Sequence, residues 1–309
     1  MNKIERVQAA LKGEKPDRIP FGFWYHFPKD QRSGQKMAQA ELGFYRKYDV
    51  DFLKVMDDNP YPPPKGMEKI EKAADWKKLE PLKPTSPNFA GQIEGLKIIK
   101  KEIGREAMMV TTIFNPLAVG EKLAGKGMYE HLKEDPSAVS QGLGVIAESL
   151  GTFSKACIDA GIEGIFLAAQ GCSRDQMSEA DYLKFGKPND LKVLKAVQNA
   201  PFNIMHIHGT NIMFDLFLDY PTAAINWSSR ITAPTLAQGR MKYKGCIIGG
   251  VDETKTIAYG MPSNIISEVK EAIRMAGPKR FIAGPGCAFP SDAPDGNLMA
   301  MKRAVEDVT

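Results

Sequence analysis

Short apolar runs alternate along the chain with longer stretches whose apolar residues recur every three or four positions. The runs are RIPFGFWYH (18–26), VDFLKVMDD (50–58), AMMVTTIFN (107–115), GIEGIFLAAQ (161–170), FNIMHIHG (202–209), AAINWSS (223–229), GCIIGGVD (245–252) and RFIAGPGC (280–287). Between them lie segments such as SAVSQGLGVIAESLGTFSKACIDA and SNIISEVKEAIRMA, whose spacing is that of amphipathic helices. Strands alternating with helices predict βαβ units and a parallel sheet. Eight such units, with a capping helix at each end of the chain, predict an α/β fold of the (β/α)8 TIM-barrel type. The N-terminal cap is an amphipathic helix with Ile4, Val7, Ala10 and Leu11 on one face. No Gly-x-Gly-x-x-Gly follows the first run, which removes the main signal for a dinucleotide fold. PYPPPKG (60–66) is too short for an interdomain linker and reads as a stiff loop near the barrel mouth, so residues 1–309 form a single domain.

Composition narrows the class. Of 309 residues, 43% are apolar and 25% charged, ordinary values for a soluble globular protein. The apolar runs fall well short of the roughly 20 residues a membrane helix requires. The N-terminus carries Glu5 and lacks a continuous apolar core, so no signal peptide is expected. Cys157, Cys172, Cys246 and Cys287 show no close pairing motif, which points to reduced thiols in the cytoplasm. A net charge of +4 without a basic stripe argues against nucleic acid as a partner.

In a barrel of parallel strands the chemistry gathers at the C-terminal strand ends. Those ends carry Tyr25 and His26; Asp57, Asp58 and Asn59; Asn115; Gln170; His206 and His208; Asn226; Asp252; and Cys287. Two of the chain's four histidines stand one residue apart, and positions i and i+2 of a strand project to the same face. With Cys287 delivered from the eighth run, His206 and His208 make a soft three-ligand set with one position open, as catalytic zinc requires. The competing reading is a hydrogen-bonded interior pair beside a buried thiol. Amidohydrolase-type barrels also use His-x-His but need further histidines. Only His26 and His131 are left here, and MYEHLKEDP places His131 on a solvated helix. Asp57 and Asp58 are candidate acid/base groups or helix caps. Asn226 is a candidate polar contact, and Gln170 could orient a substrate oxygen or satisfy backbone groups. Asp252 either faces substrate or caps a helix, and Phe23, Trp24 and Tyr25 form a wall for a ligand or fill the core. If the three ligands bind zinc, occupancy is expected to fall as pH drops through the imidazole range, about 6–7.

GIFLAAQGCSRDQMSEADYLKFGKPNDLKVL, IMHIHGTN, AINWSSR, GGVD and FIAGPGCAFPSDAPDGNLMAMKRAV resemble the uroporphyrinogen decarboxylase superfamily across essentially the whole chain. The resemblance implies a barrel with its site at the C-terminal mouth. It also implies one of two chemistries: haem-pathway decarboxylation, or zinc-dependent methyl transfer with corrinoid proteins. Decarboxylases share a P-V-W-x-M-R-Q-A-G-R segment whose arginines hold substrate carboxylates. The matching PFGFWYHFPKDQR (20–32) has Tyr25 and His26 where the first arginine stands. The family's S-D-I aspartate corresponds to Asp58, with Asp57 one register away, and the late Gly-His-Gly reads Gly284-Pro285-Gly286. Arg230 and Lys255 are the nearest cations in sequence to the strand ends.

The methyltransferase branch is similar where the decarboxylases are not. Its zinc pattern, His-x-Cys plus the Cys of G-P-G-C, is met by His206 and Cys287, while His208 stands in place of a cysteine. One thiolate instead of two leaves the metal a stronger Lewis acid, which favours methyl ethers or methoxy compounds over thiols. The implied residues are Asp58, Asp57 and Tyr25 as catalytic groups, and His26, Asn115, Gln170, Asn226 and Asp252 as substrate contacts. The implied cofactors are zinc and a corrinoid (cobalamin) supplied by a corrinoid-binding protein, with a small-molecule methyl donor or acceptor as substrate. A homodimer is left open. The alternatives are a uroporphyrinogen decarboxylase and a non-catalytic accessory protein that binds a tetrapyrrole or corrinoid.

Overall fold

The computed structural model describes residues 1–307. Seven parallel strands form one sheet in sequential order: β1 (Phe52–Val55), β2 (Met108–Phe114), β3 (Gly164–Ala169), β4 (Ile204–Ile207), β5 (Ala224–Trp227), β6 (Cys246–Val251) and β7 (Phe281–Pro285). Each lies inside one of the predicted runs. The helices expected from the three- and four-residue spacing run over Pro136–Asp159 and Pro262–Ala276.

The first predicted run is the exception. Residues 18–26 form no strand but only single bridges, Phe21 to Ala283 of β7 and Tyr25 to Phe289 beyond it. The sheet therefore has seven strands where eight were expected. Two residues account for this. Pro20 has no N–H to give to a ladder, and its carbonyl accepts from the Ala283 N–H at 2.8 Å. The Phe21 N–H is spent on the Asp51 carboxylate at 2.9 Å and not on a strand carbonyl. The segment is still tied to both edges of the sheet: the Gly22 N–H donates to the Ala283 carbonyl, and the Asp51 N–H to the Phe21 carbonyl.

Alternation along each strand divides the core in two. Leu53, Val55, Met109, Ile165, Leu167, Met205, Ile225, Ile247 and Phe281 face the surrounding helices. Phe52, Val110, Phe166, Ala168, Ile204, Ala224, Ile248 and Ile282 point the other way and meet one another inside the curled sheet. Helix α1 (Lys3–Lys12) inserts Val7 and Ala10 into this inner cluster, with Ile4 and Leu11 packed against it, as the N-terminal pattern predicts. An Asn2–Glu5 capping box starts α1, and Gly13 in the left-handed region ends it. Toward the C-terminal ends of the strands the buried residues turn polar: Lys54, Thr112, His206 and Asn226. Among the described residues no helix is long and apolar enough to cross a membrane, and all four cysteines are free.

Candidate metal centre

His206 sits on β4, 3% exposed, with its ring stacked on Phe166 at a centroid distance of 5.1 Å. Its Nδ1 lies 2.6 Å from the Asn226 Oδ1. The Asn226 Nδ2 donates to the carbonyls of Ile248 (2.9 Å) and Pro285 (3.0 Å), so its oxygen is the atom that faces the imidazole. His206 must then carry its proton on Nδ1, which leaves Nε2 with a free lone pair. Two residues on, just past β4, the Nδ1 of His208 lies 3.5 Å from the Cys287 Sγ. The ligand atoms of His206, His208 and Cys287 all fall within 4.8 Å of one another.

Cys287 follows β7 on a turn that Glu253 holds in place. The buried Glu253 carboxylate accepts the Gly286 N–H at 3.1 Å and the Ser228 hydroxyl. Gly286 is needed at this approach, since a Cβ would fall 2.3 Å from the Ser228 Cα. Burial sets the electrostatics. It lowers His206 to about 3, with His208 adding to the effect, and lowers His208 as well. Burial also raises the Cys287 thiol to about 11, assisted by Glu253 and opposed by Lys54.

These three residues line a cavity of about 70 Å³ together with Trp24, His26, Lys54, Met56, Thr112, Phe166 and Gln170. Two of the expected substrate contacts, His26 and Gln170, are thus at the site. The His26 Nδ1 is 2.8 Å from one oxygen of Asp58 and 3.0 Å from the other, and the Arg32 Nε lies 3.5 Å from Asp58. Burial works to raise Asp58, but His26, Arg32 and Lys54 outweigh it and hold the carboxyl below its ordinary range. Asp58 therefore reaches the cavity through His26.

Other expected residues are engaged elsewhere. Asp57 accepts from both the backbone and the side-chain nitrogen of Asn59, and burial raises it to about 7. It lines a second cavity of about 160 Å³ with Asp58, Tyr61, Phe89, Lys122 and Phe153. Tyr25 packs among Phe27, Phe44 and Phe289 and does not line the metal cavity; it is core filling, and Trp24 faces the site instead. Asn115 caps helix Pro116–Ala124 through the Ala118 N–H and donates to the buried Asp190, so no part of it is left for substrate. Asp252 closes the turn that leads into helix Thr256–Tyr259, accepting from the Thr254 N–H, the Thr254 hydroxyl and the Lys255 N–H. Asn226 orients His206 and is not a substrate contact.

His131 is buried, not solvated: it accepts from the Trp76 indole N–H at 3.2 Å and meets the Glu71 carbonyl at 3.1 Å. A larger surface hollow of about 340 Å³ around Phe214, Pro234 and Met241 contains no histidine or cysteine. Near the site, the buried Lys54, Glu253 and Glu41, the last accepting the Met56 N–H at 2.9 Å, were not anticipated. Lys54 was legible in principle. It alternates with Phe52 and Met56 on the inner face of β1, where a charged residue has no solvent.

Residues 56–308 match the family model described as uroporphyrinogen decarboxylase (URO-D). The chain belongs to that family. No curated protein sequence matches it. Among solved structures, this URO-D family member is similar to a methyltransferase from Methanosarcina mazei, with a TM-score of 0.85 at 19% identity, covering 100% of this chain and 99% of the other. It is also similar to a B12-independent methionine synthase from Shewanella, with a TM-score of 0.67 at 11% identity, covering 94% and 98%. At these identities the likeness is one of fold.

Proposed function

We propose that this URO-D family protein is a zinc-dependent methyltransferase that moves a methyl group between a small substrate and a corrinoid carried by a partner protein. The observation that carries the reading is the convergence of His206, His208 and Cys287 within 4.8 Å, with the His206 proton committed to Asn226. Two imidazoles held neutral by burial and one thiol form a donor set that fits zinc and leaves a fourth position for substrate. Zinc held there would supply Lewis acidity to the atom that bears the methyl group.

The chain's own residues supply the rest. Asn226 keeps the His206 Nε2 unprotonated and aimed, the role a ligand's hydrogen-bond partner plays in metal sites. Glu253 fixes the turn that presents Cys287. His26, held through Nδ1 by Asp58, lines the cavity beside the three candidate ligands. Trp24, Met56 and Phe166 give the cavity an apolar wall. With one thiolate the bound metal would carry a net charge of about +1, which favours a methyl ether or methoxy donor over a thiol. The likeness in fold to the M. mazei methyltransferase supports this reading. So do the two-edge hydrogen bonds of residues 18–26, which we read as the eighth stave of a (β/α)8 barrel.

The test joins metal content to transfer. Purified protein should hold about one zinc per chain by elemental analysis, and Cys287→Ala should lose most of it, because two protein ligands rarely retain zinc. A labelled methyl group should move from a methoxy compound to a reduced corrinoid with wild type and not with Cys287→Ala. His208→Cys should keep the metal and shift preference toward thiols. Zinc-free protein with no transfer would instead favour the accessory-protein reading.

A further inference from the structure

Lys54 is 3% exposed on the inner face of β1, in the same cavity as the three metal-type ligands. Its ammonium has three donors, yet among the described residues its only hydrogen bond is to the thioether of Met56 at 2.7 Å, a weak acceptor. The rings of Phe166 and Trp24 lie 4.7 and 5.4 Å away. Among the described residues no carboxylate forms an ion pair with it. Buried charges are ordinarily paired with an opposite charge. Burial lowers its ammonium to about 7, and the groups that work against this, Cys287, Glu41, Asp58 and Asp57, do so without a direct ion pair. A desolvated amine with two donors to spare, lining a cavity and lacking a direct ion-pair partner, is placed to gain its full charge from an anionic ligand.

We propose that Lys54 binds an anionic oxygen of the substrate, and that the substrate is a small methylated carboxylic acid. A cavity of about 70 Å³ admits only a few heavy atoms. Phosphate groups are typically held by guanidinium forks or several donors, whereas a single ammonium suits a monoanionic carboxylate. Met56, Phe166 and Ala168 give the methyl-bearing end an apolar wall. The identity of the reacting group rests on the methyltransferase reading; the binding of the anion does not.

The experiment is calorimetric titration of the purified full-length protein with methoxyacetate and with its neutral counterpart 1,2-dimethoxyethane, for wild type and Lys54→Met. Wild type should bind methoxyacetate at least tenfold more tightly than the ether. Lys54→Met should lose that preference with zinc content unchanged. Its Tm should hold or rise, because an apolar side chain of similar length replaces an unpaired buried charge. Equal affinity of wild type for the two probes, or undiminished methoxyacetate binding by Lys54→Met, would overturn the assignment. So would a fall in Tm with loss of zinc, which would mark Lys54 as structural. Anion preference without any methyl transfer would support Lys54 while rejecting the methyltransferase reading.

Discussion

Burial depresses both imidazoles of the candidate metal centre and raises its thiol, and the two shifts act differently on pH dependence. His206, lowered to about 3, has no proton to lose at neutral pH, and His208 is displaced in the same direction. Cys287, raised to about 11, keeps its proton until the metal displaces it. The sequence alone suggests that occupancy falls through the imidazole range, but in the folded protein the thiol carries the dependence. Binding should release about one proton per zinc at pH 7, so apparent affinity should rise roughly tenfold per pH unit between about pH 7 and 9. Titration in buffers of different ionisation enthalpy measures this number directly. Release near zero, or a two-proton step confined to pH 6–7, would contradict the assignment. Cys287→Ser should also flatten the slope and weaken binding. The convergence of the three candidate residues was readable because His206 and His208 stand two residues apart at the end of one strand. The Asn226 contact that fixes the tautomer was not, since it depends on the register of β4 against β5, His206 opposite Asn226.

Among the elements, the irregular segment 18–26 is held chiefly by one buried carboxylate. Asp51 is fully buried just before β1 and accepts from the Arg6 guanidinium at 2.7 Å, the Arg18 guanidinium at 2.7 and 3.1 Å, and the Phe21 N–H at 2.9 Å. It thereby joins α1, the segment and the first strand. Asp51→Asn leaves both arginines without their buried counter-charge and should destabilise the fold by about 3 kcal/mol. Chemical denaturation would read this, and a change below about 1 kcal/mol would mean that the segment is held by packing instead. Seven strands were legible from apolar runs bounded by turns. The remaining run, RIPFGFWYH, has the hydropathy of a strand but forms only bridges, because Pro20 has no N–H for a ladder and the Phe21 N–H is spent on the Asp51 carboxylate. Asn115 and Asp252 were misread for a related reason. A parallel strand end often leads into a helix start, and the residue types that cap helices are those that bind substrates. His131 belongs here too: the polar pattern of its helix hid the Trp76 indole that buries it.

For the whole molecule, family and cavity make opposing demands that can be weighed. Family membership admits decarboxylation of uroporphyrinogen, whose eight carboxylates call for several guanidinium forks. Sites for ligands of drug size run to about 300–1,000 Å³, and the cavity at His206, His208 and Cys287 measures about 70 Å³. No arginine lines it, and Lys54 is its one lysine. Arg230, among the nearest cations in sequence, is taken up by Glu271 at 2.6 Å and by the Gly250 carbonyl at 2.9 Å. Arg32, in the segment that matches the decarboxylase arginines, donates to the Phe27 carbonyl at 2.7 Å and borders Asp58. One ammonium cannot neutralise eight carboxylates, and moving such a charge from water into a largely apolar cavity is strongly unfavourable. Incubation with uroporphyrinogen at neutral pH should therefore yield no coproporphyrinogen by chromatography, with or without added zinc. Methoxyacetate, carrying one carboxylate for one ammonium, should bind under the same conditions. Decarboxylation at an ordinary enzymatic rate would show that the cavity opens far beyond this conformation and that Lys54 has cationic company there.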